Sequence, residues 1–228
     1  MKNKVKRALY ITVDGGDGSG KSTFIKNLNE YLVSLNKKVL LTKEFGSELN
    51  LFCQKAREIA LSSAYEVDEL AGQIMFASIA RQHQQAVINP NLISGNFDII
   101  LSDRGIDSNY AYGPEHVKEQ GINESVISDL FKIAYTDSIL PDFTFYLDAE
   151  TELTKKRRSS RKAEVFEGNG VDRVEKKGSE FQEKVRSRFL DLAKKSPNRI
   201  KVIKISDSTV PLDVLAEAIK VLTAYNAI

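Results

Sequence analysis

Tryptophan is absent from this chain of 228 residues, cysteine occurs once, histidine twice and proline five times. The lone Cys53 forbids an intrachain disulfide, so packing alone must hold the fold, and a reducing compartment, the cytoplasm, is expected. One cysteine and two histidines, His83 and His116, show no ligand spacing and leave no ordinary zinc site. Both histidines read as ordinary surface or helix positions, and Cys53 as a helix-face residue. Charge of one sign is missing as well. Against 31 Asp+Glu stand 33 Lys+Arg, and the formal charge of +2 gives no reason to expect nucleic acid or a membrane surface as partner. Long apolar runs are absent: the stretch ALYITV that follows the basic MKNKVKR ends at Asp14, short of a signal-peptide core or a membrane span. No Pro/Gly/Ser-rich linker and no repeat divides the chain, so one domain over 1–228 is expected.

What the chain does have is a phosphate loop. From Gly15 to Ser22 the sequence GGDGSGKS fits G-x-x-x-x-G-K-[ST]. Gly15, Gly18 and Gly20 let backbone N–H groups of the loop, with those of Asp17 and Ser19, turn around phosphate oxygens. Lys21 brings a point charge to the β/γ-phosphates, and Ser22, with Thr23 behind it, offers a hydroxyl to Mg²⁺. The context fits, because ALYITVD before the loop reads as a buried strand, and KSTFIKNLNEYLVSL after it spaces Phe24, Leu28, Leu32 and Leu35 as one helix face. A nucleotide triphosphate such as ATP, with Mg²⁺, is the implied ligand.

Short apolar runs alternate with longer helical stretches along the rest of the chain, which predicts an α/β fold with a five-stranded parallel sheet, helices on both faces. The strands are expected at ALYITV, KKVLLTKE, FDIILSD, DFTFYLD and RIKVIKIS, and the helices near 48–62, 66–88, 122–137, 150–163, 174–195 and 210–225. The stretch from Lys155 to Arg173, basic and then glycine-bearing, reads as a flexible lid. The terminal helix around VLAEAIKVL reads as core packing.

A phosphate loop by itself does not separate hydrolases from kinases, so the acceptor must be sought elsewhere. ILSDRG places Asp103 where a strand meets the ligand edge of the sheet, a position suited to a Mg²⁺-linked carboxylate. Arg57, Arg81 and Arg104 sit on or after elements lining one edge, while Arg157, Arg158 and Arg161 sit in the lid. Such guanidinium groups clamp phosphates and offset charge on a moving phosphoryl group.

With these pieces in place the chain resembles the thymidylate kinases, P-loop enzymes that transfer a phosphoryl group from ATP to dTMP. The resemblance runs nearly end to end. It is carried by VDGGDGSGKS, by TKEFGS (similar to T-R-E-P-G-G), by IMFASIARQH, by DRGIDSNYAYG (similar to D-R-Y-x-D-S-S-x-A-Y-Q-G), by PDFTFYLDAE and by the stretch from Asp172 to Arg199. It implies a three-layer P-loop fold with a flexible lid at about 155–173 and a homodimer paired through helices that include the 66–88 stretch. Position by position it implies that Asp17 faces the acceptor's sugar hydroxyl, that Arg57 and Arg104 bind the acceptor phosphate, and that the Tyr112 ring favours deoxyribose. Members with glycine after the loop carboxylate, here Gly18, supply their catalytic arginine from the lid, which singles out Arg157 and Arg161.

The departures fall on the acceptor side. Phe45 replaces the proline of E-P, with two extra residues before Arg57; Gly105 replaces an aromatic residue; and Asn109 stands where serine or threonine approaches the base. Family members place a stacking phenylalanine and a base-binding arginine four residues apart. Phe76 and Arg81 are five apart, about 140° around a regular helix, so both keep these roles only with a local bulge or a shifted partner. Either Phe76 stacks and another residue such as Gln84 or Asn109 reads the base, or Arg81 reads it and the stacking residue changes. The expected activity is phosphorylation of a deoxynucleoside monophosphate, dTMP first, with another base as the alternative. A P-loop switch ATPase and a non-catalytic nucleotide-binding scaffold are the readings from other classes, and the chain lacks the N-K-x-D motif of guanine-nucleotide switches.

Overall fold

The computed structural model describes residues 7–44, 49–62, 64–164 and 177–228, with only the backbone at 158 and 160–164. Phe45, lid residues 165–173 and the side chains of Arg158 and Arg161 therefore lie outside the described residues. Five strands, β1 (Leu9–Gly15), β2 (Val39–Lys43), β3 (Ile99–Asp103), β4 (Phe143–Ala149) and β5 (Ile200–Ile205), form one sheet in the order β2-β3-β1-β4-β5. Every pairing is parallel, as expected for strands separated by crossover helices.

The strand pattern explains the layers. On β1, Ile11 and Val13 point to one face, where α1 (Lys21–Ser34) lays down Phe24, Leu28 and Leu32, and α9 (Pro211–Ala224) adds Val214, Ala218 and Leu222. The terminal helix is core packing, as its composition implies. Tyr10, one residue out of phase, points to the opposite face, where it packs with Ile100, Ile88 and Leu92. This alternation is the period of two of a strand buried on both sides.

The second face carries α3 (Glu69–His83), α4 (Asn89–Ile93), α5 (Ile106–Val117) and α8 (Gly178–Lys195), with α6 (Glu124–Ala134) packed outside α3 and α5. The remaining helices are α2 (Leu51–Leu61) and α7 (Thr151–Glu164). Between α3 and α4 the helix widens into a π turn over Gln84–Ile88.

Helix α5 has no counterpart among the helices expected from the sequence. Its segment holds Gly113 and Pro114 in its interior, both helix-disfavouring, and ten of its twelve residues are buried, so packing overrides propensity. Its first turn is bolted to the sheet: Arg199 makes a bidentate ion pair with Asp107 (2.6 and 2.7 Å), and Thr144 Oγ1 donates to Asp107 Oδ2 at 2.7 Å. Among the described residues no helix is long and apolar enough to cross a membrane.

Candidate active site

The phosphate loop runs from the end of the central strand β1 to the first turn of α1, between flanking strands β3 and β4. Gly20, at φ 98°, caps α1 in the left-handed region, which a residue without Cβ enters at no steric cost. The free N–H groups of the first helical turn then face the loop, and the helix dipole favours an anion there. Lys21, 8% exposed, donates from Nζ to the carbonyls of Gly15 (2.9 Å) and Gly16 (3.0 Å). Burial and the nearby Arg104 lower its pKa to about 8, against the pull of Asp17, Asp103 and Asp14. Ser22 and Thr23 follow on the exposed side of the same turn.

Asp103 ends β3 beside the loop. Its Oδ2 lies 3.6 Å from Lys43 Nζ, while its Oδ1 is buried with no hydrogen-bond partner. An orphaned carboxylate oxygen in this place suits a hard cation. Among the described residues no three His, Cys, Asp or Glu side chains converge on one point, so a cation would share Asp103 and Ser22 with phosphate oxygens rather than sit in a protein cage.

Arg104 joins the two sides of the cleft. Its backbone holds φ 67°, unusual for a side-chain-bearing residue, with its N–H donating to Val13 O and its carbonyl accepting from Ser102 Oγ. Its Nη2 donates to Asp17 Oδ1 at 3.0 Å and Nη1 to Ser108 Oγ at 3.2 Å, and the guanidinium lies 5.1 Å from the centre of the Tyr112 ring. Burial would lower its pKa, but Tyr112, Asp17, Asp103 and Asp14 together hold it above the ordinary value, so the group stays cationic. Below it, Ser108 Oγ donates to Asp14 Oδ1, and burial together with Asp107 raises the Asp14 carboxyl to about 7.

Gly105 shows why an aromatic residue is missing after Arg104. A Cβ there would lie 2.6 Å from Thr12 Cγ2, so α5 starts in direct contact with β1 and no side chain fits.

On the acceptor side Asn109 and Tyr112 lie on α5, and Arg104 stands two residues before its start. Tyr112 leans on Phe181 and Phe189 of α8. Phe76 packs on the cluster that contains Tyr135, and the Tyr135 hydroxyl accepts from Asn109 Nδ2 at 2.6 Å. Arg57 lies half-buried on α2.

Arg81 does not join them. Its Nη1 donates to the carbonyl of Thr136, just beyond α6. The bulge that the Phe76–Arg81 spacing calls for exists, but it is the π turn at Gln84–Ile88, after both residues, so it leaves their offset unchanged. Four residues after Phe76 stands Ala80, fully buried and without a donor. Gln84 reaches Tyr10 beneath the sheet (3.4 Å) and Arg157 Nη2 donates to Ser206 O (3.2 Å).

Both histidines are on helices, yet neither is at the surface. His83 is fully buried, its Nε2 2.8 Å from Thr42 Oγ1, and His116 pairs with Glu69 at 3.1 Å. Cys53 is likewise buried on α2. Sequence reasoning missed Asp14, Glu44 and Tyr135. Each is an ordinary residue at the end of a strand or helix, and only the closed fold brings it to the cleft.

The family profile described as thymidylate kinase matches residues 13–214. The chain is 34% identical over 215 residues to a thymidylate kinase of Mesoplasma florum, covering 94% of each chain. To a thymidylate kinase of Rickettsia africae it is 36% identical over 213 residues, covering 93% of this chain and 96% of the relative. The crystal structure of thymidylate kinase from Ehrlichia chaffeensis superimposes with a TM-score of 0.68 at 32% identity, covering 95% of this chain and 99% of that one. A five-stranded parallel sheet with a phosphate loop on its central strand, matched nearly end to end at these identities, leaves one conclusion: the chain belongs to the thymidylate kinase family and is a nucleoside monophosphate kinase, a phosphotransferase.

Proposed function

We propose that this enzyme transfers the γ-phosphoryl group of ATP to dTMP, giving dTDP and ADP. The observation that carries the reading is the 3.0 Å ion pair between Asp17 of the phosphate loop and Arg104 of the acceptor wall, which sets donor and acceptor groups a single side-chain contact apart. In phosphoryl transfer the protein does little covalent chemistry, so positioning and charge neutralisation supply the rate.

In this reading the loop amides and Lys21 hold the ATP phosphates, and Arg104 with Arg57 clamps the acceptor phosphate. Asp17 takes the acceptor's sugar hydroxyl, and the Tyr112 ring crowds the 2′ position of a ribonucleotide. Phe76 stacks on the base while Asn109 reads its edge. Ser22 and Asp103 would hold Mg²⁺, which, when bound, neutralises charge on the β- and γ-phosphate oxygens. Arg157 and Arg161 belong to a lid over about 155–173 that closes on both nucleotides and excludes water as a competing acceptor. We assign the chain a single kinase domain, a cytoplasmic setting, small nucleotides as its substrates and a homodimeric state, with no nucleic-acid or membrane partner.

The test is an ADP-release panel with dTMP, dUMP, dCMP, dGMP, dAMP and their ribose counterparts. The expected result is highest kcat/KM for dTMP with ribonucleotides far slower. Equal rates on ribo- and deoxyribonucleotides would remove the role of Tyr112, and preference for another base would overturn the acceptor. ADP release at the full rate without any acceptor would instead favour a switch ATPase.

A further inference from the structure

A buried polar chain leads away from Asn109. Asn109 is 3% exposed, and its Nδ2 donates to the hydroxyl of Tyr135, 7% exposed, at the C-terminal end of α6. The Tyr135 hydroxyl in turn donates to Oε1 of Glu44, which is fully buried just after β2 and tied by its backbone N–H to Asp103 O at 3.0 Å. Burial and the Glu44 carboxylate both raise the Tyr135 pKa well above its ordinary value, so the hydroxyl keeps its proton.

The chain has a polarity. A tyrosine hydroxyl has one proton to give, and a carboxylate oxygen only accepts. With that proton committed to Glu44, the Tyr135 oxygen can only accept from Asn109, so the asparagine must turn its NH₂ toward Tyr135 and its carbonyl away. Among the described residues nothing donates to Asn109 Oδ1. That oxygen and the second N–H of the amide remain as an acceptor and a donor side by side.

We propose that Glu44, acting through Tyr135, fixes the orientation of the Asn109 amide and so makes the acceptor pocket select a base with a ring N–H beside a carbonyl, thymine or uracil, over cytosine. Thymine presents N3–H to Oδ1 and a carbonyl to the N–H. Cytosine presents an unprotonated N3 beside an amino group, the reverse pattern, which only the flipped amide would match. Flipping sets two acceptor oxygens against each other, or else draws the Tyr135 proton from Glu44 and strands a buried carboxylate. Glu44 and Tyr135 are positioning residues, and the inference rests on Asn109 reading the base as proposed above.

The experiment compares kcat/KM for dTMP, dUMP and dCMP at saturating ATP in wild type, Tyr135→Phe and Glu44→Gln. The expected wild-type preference for dTMP over dCMP is at least tenfold. Each variant is expected to narrow it about tenfold, mainly through KM, while the dTMP:dUMP ratio and the KM for ATP stay within twofold. The glutamine variant tests the polarity itself, because its amide N–H can donate to Tyr135 and reverse the chain. Thermal unfolding measured alongside identifies a variant that fails to fold, in which case the other, with its nearly unchanged volume, carries the test. An unchanged dTMP:dCMP ratio in a folded variant, with only its melting temperature lowered, overturns the inference alone. A wild-type preference for dCMP over dTMP overturns it together with the proposed acceptor.

Discussion

The donor and acceptor sides of the cleft are built on different principles. The donor side is a contiguous run of sequence, Gly15 to Ser22, that offers backbone N–H groups, a helix terminus and one lysine. Phosphates all look alike to such a cradle, and few substitutions leave its backbone intact. The proposed acceptor side draws on Glu44, Phe76, the stretch that holds Arg104 and Asn109, and Tyr135, side chains from four separate segments. Its chemistry resides in side chains on a fixed scaffold, so single positions can change while the cavity persists. The departures from the family pattern at Gly105, Asn109 and the Phe76–Arg81 spacing accordingly fall on this side.

The sharpest break of the donor side is Lys21→Ala. Loss of the ammonium folded onto the loop should lower kcat on the order of 10³-fold or more, measured as ADP release. The residue joining the two sides is tested by Gly105→Ala, whose methyl meets Thr12 and through it the buried Thr12–Thr144 hydroxyl pair. Overpacking of about 1–3 kcal/mol is expected in denaturant unfolding, with a lower kcat because Arg104 moves with its neighbour.

Asp14 lies under both sides and gives a pH test. Its carboxyl is raised to about 7 in the fold, so between pH 4 and 7 the folded protein holds a proton that the unfolded chain has released. Stability therefore falls as pH rises through that window and levels off above it. Asp14→Asn should remove that slope, gaining on wild type by about 3 kcal/mol between pH 4.5 and 7.5 in urea titrations. Should the two slopes coincide, the carboxyl is not the titrating group.

The smallest effect is expected on the acceptor side, from Arg81→Ala. With its guanidinium on the Thr136 carbonyl, its removal should cost roughly 1 kcal/mol of stability and leave kcat/KM for dTMP within about threefold. A hundredfold rise in KM for dTMP would return Arg81 to the base.

The same division decided what could be read in advance. All five strands were legible, because each is a short apolar run between helical stretches, and the phosphate loop was legible because its residues are neighbours in sequence. Helix α5 was not: its interior holds Gly113 and Pro114, both helix-disfavouring, and a bidentate Arg199–Asp107 pair and near-complete burial hold it helical. His83 falls on a helix, but its burial was not legible for a related reason, since a histidine alone says nothing about whether Thr42 and Glu44 will meet it in the interior. The Phe76–Arg81 spacing raised the right question, but its answer, a guanidinium turned to Thr136, depends on where α6 ends.

The sheet order has a kinetic consequence. Leu9 pairs with Ile99 and Ile11 with Phe143, and the strands adjacent in sequence that do pair, β2 with β3 and β4 with β5, pair in parallel across long crossovers. Contacts of such high sequence separation close late and slowly. The cleft lies where β1 meets β3 and β4, so ATP affinity should be among the last properties to appear on refolding, and a fluorescent nucleotide added during refolding would time the completion of the central sheet.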